Sequence, residues 1–167
     1  MKLNIGSGPQ KLSGYVNVDI RKELNPDVVC DIKYLEPFED NSVDEIKAHH
    51  VLEHFQQWLT RIVLRKWCEK LKPDGLISIE VPDMKEICRA VHECNYDNIN
   101  ELNARFRDIY GGQDHPWNYH CTGFTQETLT KHLESCGFVV SHVIRLKEPH
   151  FCIRVEARKK GSECKLF

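Results

Sequence analysis

The chain has 167 residues, of which 41% are hydrophobic and 29% charged, with a formal net charge of −2. These are values of one ordinary globular domain and exclude a wholly disordered chain. No run approaches the ~18 apolar residues of a membrane span, residues 1–6 lack the apolar stretch of a secretory signal, and the charge balance speaks against binding nucleic acid through bulk basicity.

Short β-type runs open the chain at 3–5, 15–19 and 28–31. A fourth at 45–49 sets Ile46 and Ala48 on one face, and a fifth at 76–81 is bounded by Pro73-Asp74-Gly75 and Pro82. Between these two, Leu59, Ile62, Val63, Trp67 and Leu71 recur at three- and four-residue spacing, the apolar stripe of a helix. A second helix follows Asp83, with Met84, Ile87, Cys88 and Val91 at similar spacing, and a third covers 98–110. A fourth is capped by Thr125, sets Leu129 and Leu133 on one side and ends at Gly137. Runs at 138–144 and 151–157 close the chain. Lys147-Glu148-Pro149-His150 between them is short enough for an antiparallel hairpin.

Strands separated by crossovers imply an α/β layered sheet in a single domain over 1–167. The stretches 8–16 and 19–28 are too short for full helices, so the early helices are trimmed and loops or single turns cover one side of the sheet. Arg158, Lys159 and Lys160 begin a solvated polar tail over 158–167, which contains Cys164. None of the eight cysteines forms a C-x-x-C pair, and most lie in apolar segments. They are expected to be reduced thiols of a cytoplasmic protein acting as small hydrophobes.

The first loop carries the chemistry. Asn4-Ile5-Gly6-Ser7-Gly8 follows a strand, and Asp19 ends the next one. Gly-x-Gly lets the backbone turn sharply and approach a ligand without Cβ atoms in the way, while an acid at the neighbouring strand tip can accept hydrogen bonds from a ribose diol. A dinucleotide fingerprint would need a third glycine where Lys11 stands and a helix facing the pyrophosphate, for which Pro9 and the short crossover leave no room. The pattern therefore suits an adenosine without phosphates, and S-adenosylmethionine (SAM) fits it.

Six blocks in order carry a resemblance: residues 3–8, Val16-Asn17-Val18-Asp19, Cys30-Asp31-Ile32, residues 37–44, His50-Val51-Leu52-Glu53-His54, and Leu71-Lys72-Pro73-Asp74-Gly75. Together they resemble the class I SAM-dependent methyltransferases, especially small methyltransferase-domain proteins with an HVLEH signature after the fourth strand. The resemblance implies a Rossmann-like three-layer sandwich with a mostly parallel seven-stranded sheet and an antiparallel last strand. It also implies that Gly6 and Gly8 flank the methionine portion of SAM, Asp19 holds the ribose, Asp31 and Ile32 border the adenine, and His49 and His50 line the pocket. The missing first helix departs from the family and opens the cofactor pocket.

His50-x-x-Glu53-His54 also matches the inverted zinc-protease motif, which requires both histidines on one helix face with Glu53 as general base. The residues before it read as a strand, so no metal ligand is assigned, and Glu53 and His54 are expected to start and orient the following helix. Residues 110–124 gather His115, His120, Asp114 and four aromatics between two helices. They form either a lid hinged at Gly111-Gly112 and Gly123 or a connection packed on the sheet. Methyl transfer needs a base only when the acceptor is a hydroxyl or a protonated amine. His120, His115 and Asp83, in that order, are the candidates. The expected partner is a small-molecule or sugar-containing acceptor presenting oxygen or nitrogen. A zinc hydrolase and a non-catalytic SAM-binding subunit are the alternatives.

Overall fold

The short β-branched runs of the first fifty residues form strands β1 (Lys2–Ile5), β2 (Val16–Asp19), β3 (Val28–Val29) and β4 (Val43–His49). The computed structural model describes residues 1–147 and 150–161. Beyond β4 lie α1 (Thr60–Lys70), β5 (Leu71–Pro82), α2 (Met84–Glu93), α3 (Ile99–Tyr110), α4 (Gln126–Ser135), β6 (Phe138–Leu146) and β7 (Cys152–Lys159). The seven strands make one sheet in the order β3-β2-β1-β4-β5-β7-β6. β7 is antiparallel to both its neighbours and the other pairs are parallel, which is the expected Rossmann-like α/β arrangement.

One face of this sheet is apolar. Leu3, Ile5, Val18, Ile46, Ala48, Ile77, Ile79 and Val155 are fully buried in one core with Val63, Leu64 and Trp67 of α1 and Leu129 and Leu133 of α4. The alternate positions, Asn4, Asn17, Lys47, Ser78, Glu80 and Arg154, point to the other side. Parallel strands covered by helices on both faces are apolar on both, so this polar face matches the missing early helices. Among the described residues the chain before α1 holds no α-helix, and a 3-10 turn at Lys22–Leu24 stands in the β2–β3 crossover.

Loop 9–15 covers the polar face instead. Asn4 Nδ2 donates to Gln10 O (3.2 Å) and to Asn17 Oδ1 (2.9 Å), and Leu12 N donates to Asn17 Oδ1 (2.8 Å). Asn17 Nδ2 donates in turn to Asp27 Oδ2 (2.8 Å) and Leu12 O (3.3 Å). Buried amides and carbonyls must find partners, and two asparagine side chains supply them where a helix would have supplied its own.

Several boundaries differ from the sequence reading. Ile62 is 42% exposed, because the buried face of α1 is made by Val63, Leu64, Trp67 and Cys68. Leu71 does not continue that helix but begins β5, pairing with Val43 before the chain bulges at Asp74 (φ 61°) and resumes with Leu76 opposite Glu45. On α2, Ile87 is the buried residue and Cys88 is exposed. Arg158 and Lys159 belong to β7 and not to a tail; Lys159 Nζ donates to Leu71 O (2.8 Å) and Asn41 Oδ1 (2.7 Å). Glu148 and Pro149 of the expected hairpin turn, and Cys164 with the tail from 162 onward, lie outside the described residues. Among the described residues no helix is long and apolar enough to cross a membrane.

Candidate functional site

β1 leaves the sheet through Gly6 (φ 61°) and Gly8 (φ 55°), left-handed conformations that glycine adopts without steric cost. A Cβ on Gly6 would stand 2.6 Å from Val51 Cγ2, so the first glycine is demanded by close approach as well as by conformation. Ser7 N donates to Val18 O (3.0 Å) and Gly8 N to Asp19 Oδ2 (2.8 Å), tying this turn to the end of β2. Arg21 completes the arrangement, donating from N (2.9 Å) and Nε (3.1 Å) to Asp19 Oδ1. Burial by itself would raise the Asp19 pKa, but the hydrogen bonds from Arg21 and from the Gly8 N–H outweigh it and hold the carboxyl below its usual range.

A cleft of about 750 Å³ opens here, at the carboxyl ends of the parallel strands, within the size range of small-molecule sites. Gly6, Ser7, Gly8, Asp19, Asp31, Ile32, His49 and His50 all line it. Asn4 and Ile5 do not: Asn4 is buried beneath loop 9–15 and Ile5 sits in the core, so both position the turn from behind. Trp67 Nε1 donates to Ile32 O (2.7 Å), anchoring the Ile32 backbone to α1. The donor set fits an adenosine: two glycines that keep the backbone bare, a fixed carboxylate one strand away, and an apolar side chain beside Asp31.

At the end of β4, His49 Nε2 lies 3.1 Å from Ser78 Oγ, and burial lowers its pKa to about 4. His50 adopts a left-handed conformation (φ 55°), with Nε2 3.2 Å from Glu80 Oε1 and Nδ1 3.4 Å from Glu53 Oε1. Hydrogen bonding to Cys152, then to Glu53 and Glu80, raises the His50 pKa and keeps the imidazole charged. Arg154 Nε (2.8 Å) and Nη2 (2.6 Å) hold Glu80 Oε2. Burial opposes ionisation of Glu80, yet His50 and Arg154 bring its pKa down to about 2. Leu52–His54 is a single 3-10 turn, so the shared helix face of an inverted zinc-protease motif does not form. His54 instead turns its Nδ1 to Tyr119 O (3.0 Å).

Residues 111–124 are joined to one another and to the turn after β4 by backbone hydrogen bonds. Cys121 N (2.8 Å) and Thr122 N (3.2 Å) donate to Glu53 O, and Gln113 N donates to Asn118 O (2.9 Å). A Cβ on Gly111 would meet Asn118 O at 2.4 Å and one on Gly123 would meet Met84 Cγ at 2.6 Å, so these glycines permit close packing. The 115–119 stretch walls the cleft, and His115 Nε2 lies 3.2 Å from Arg21 Nη1. His120 stands behind that wall. Its Nδ1 reaches Asp108 O (3.0 Å), its ring meets His54 edge-on at 5.1 Å, and burial lowers its pKa although Glu53 opposes the shift. Asp83 is outside the cleft lining and caps α2, its Oδ1 accepting from Lys85 N (3.1 Å). Sequence reading missed Arg21, whose position two residues after Asp19 was the available signal, and the network of Glu80 and Arg154, which long-range strand pairing assembles.

Residues 9–79 match the family described as a methyltransferase domain. A SAM-dependent methyltransferase from Methanosarcina mazei superposes with a TM-score of 0.69 at 16% identity, covering 95% of this chain and 92% of that one. The 1,6-didemethyltoxoflavin-N1-methyltransferase of Burkholderia thailandensis, solved with 1,6-didemethyltoxoflavin and S-adenosylhomocysteine, gives 0.65 at 16% identity over 95% and 70%. A SAM-dependent methyltransferase from Archaeoglobus fulgidus gives 0.62 at 17% identity over 95% and 85%. Curated protein sequences give no match.

Proposed function

We propose that this SAM-dependent methyltransferase domain transfers a methyl group to an oxygen or nitrogen of a small-molecule or sugar-containing acceptor. The observation that carries this reading is the single cleft that joins the Gly6–Gly8 turn, Asp19, Asp31 and Ile32 to an aromatic wall from loop 111–124. When bound, SAM supplies a methyl group activated by a positive sulfur for in-line displacement.

The chain's own residues have then to bind, align and keep water out. The bare backbone at Gly6 and Gly8 admits the methionine portion, and Asp31 and Ile32 flank the adenine. Asp19 is ionised and accepts the ribose hydroxyls on its remaining lone pairs, while Arg21 and the Gly8 N–H hold the carboxylate in register. Trp117 and Tyr119, 55% and 46% exposed, offer flat apolar faces to a ring or a sugar. Of the three candidate bases, His115 lines this cleft, so deprotonation of a hydroxyl or ammonium acceptor falls to it. The free thiols of Cys30, Cys88, Cys94, Cys121, Cys136 and Cys152 suit a reducing cytoplasm.

Titration calorimetry with S-adenosylhomocysteine tests the donor side. Hydrogen bonds to a charged group contribute about 1.5–3 kcal/mol each, so Asp19→Ala weakens binding by roughly 10- to 100-fold, and an unchanged affinity refutes the ribose assignment. On the acceptor side, mass spectrometry of a sugar and small-alcohol panel incubated with SAM should show a gain of one methyl mass that His115→Ala suppresses.

A further inference from the structure

We propose that Glu53, His54 and His120 bind one divalent transition-metal ion of the zinc class, which clips loop 111–124 to the turn after β4. Each of the three offers one ligand atom, and these atoms lie within 4.8 Å of one another. Glu53 is 1% exposed, and neither of its carboxylate oxygens has a hydrogen-bond partner among the described residues. The charged His50 imidazole, its Nδ1 3.4 Å from Oε1, gives that oxygen an ion-pair neighbour, and Oε2 is left without one. A buried carboxylate oxygen left without a donor is costly, and a metal ion bound to it removes that cost.

The two imidazoles are prepared for the same ion. His54 Nδ1 meets Tyr119 O and His120 Nδ1 meets Asp108 O, each at 3.0 Å. A carbonyl oxygen only accepts, so each Nδ1 carries a proton, which leaves Nε2 as the nitrogen that can offer a lone pair to a metal. This is the outer-shell arrangement that orients metal-binding histidines. Two imidazoles and one carboxylate suit zinc, cobalt or iron better than calcium or magnesium, and three protein ligands leave a position for water.

The neighbouring group of His50, Glu80 and Cys152 is also compact, but there the carboxylate already carries the Arg154 guanidinium. At Glu53 the backbone is already joined to the loop through Cys121 N and Thr122 N. A metal would add a side-chain clip at the same place. Because His54 lines the cleft, occupancy would also steady the acceptor wall.

Cobalt(II) is the probe, titrated into the chelator-treated full chain and read by visible absorption. The expected result is one equivalent bound at micromolar concentration or tighter, with d–d bands that zinc abolishes. His120→Ala and Glu53→Gln should each weaken binding by about 10- to 100-fold, while His142→Ala, an exposed histidine on β6, leaves it unchanged. Zinc should raise the melting temperature of the wild type and of His142→Ala but not of the site variants. Absence of one-to-one binding overturns the proposal, as does binding that survives His120→Ala and therefore resides on other side chains. S-adenosylhomocysteine affinity, measured on the same metal-free samples, reports separately on the methyl-donor reading.

Discussion

At Gly6 two demands fall on one atom that is absent. The backbone sits at φ 61°, and the space a Cβ would occupy is taken by Val51, 3% exposed at the start of the turn that follows β4. A left-handed conformation costs an ordinary residue about 1–2 kcal/mol, and overlap with a packed methyl adds to that. Gly6→Ala is therefore expected to destabilise the fold by about 2–4 kcal/mol in denaturant unfolding, within the range of strained or overpacked sites. It should also weaken S-adenosylhomocysteine. Val51→Ala in the same chain relieves the overlap but not the conformation, so it should restore only part of the loss. Asp19 shows the complementary limit of sequence reading. The acid and its place at a strand tip are visible in Val16-Asn17-Val18-Asp19, whereas its engagement by Arg21 depends on how the chain turns after β2.

Among the elements, loop 9–15 replaces a helix with two asparagines. Asn17→Ala would strand Leu12 N and remove two donors from its partners' oxygens. Leaving a buried polar group unpaired costs about 1–3 kcal/mol, so a loss of that size in global stability is expected. The Leu12 amide, followed by hydrogen exchange, should lose protection first; equal protection in the variant would mean that something else holds the loop. The strands themselves were largely legible, because Ile77-Ser78-Ile79-Glu80-Val81 alternates with period two and strong breakers stand at Pro73-Asp74-Gly75 and Pro82. The misplaced start of β5 has a physical reason. Leu71 pairs with Val43 before the bulge, a contact 28 residues distant in sequence that local propensity does not encode. Arg158 and Lys159 failed for the same reason: charged side chains look solvated until β5 and β6 flank their backbone.

Across the molecule the two sheet faces divide the work. The apolar face, packed on α1 and α4, fixes the strand ends that shape the cleft. The polar face carries ionisable groups in a partly dry layer, and this gives the fold a pH dependence. His49 lies on that face, half-buried beside Ser78, with Glu80, Arg154, Lys47 and His50 around it. Burial first, then the cations Arg154, Lys47 and His50, lower its pKa to about 4, against the raising effect of Glu80. A free histidine titrates near pH 6.5, so above about that pH both folded and unfolded His49 are neutral and the residue contributes no slope. As pH falls below it, the unfolded chain takes up a proton that the folded chain refuses until pH approaches 4. Stability must then fall with decreasing pH across that window. Between pH 7 and pH 5 the loss attributable to this residue is about 1–2 kcal/mol. Urea unfolding of the wild type and of His49→Gln at the two pH values isolates it. The wild type should lose more stability than the variant by that amount, and parallel losses would show that His49 takes up its proton equally in the folded and unfolded states.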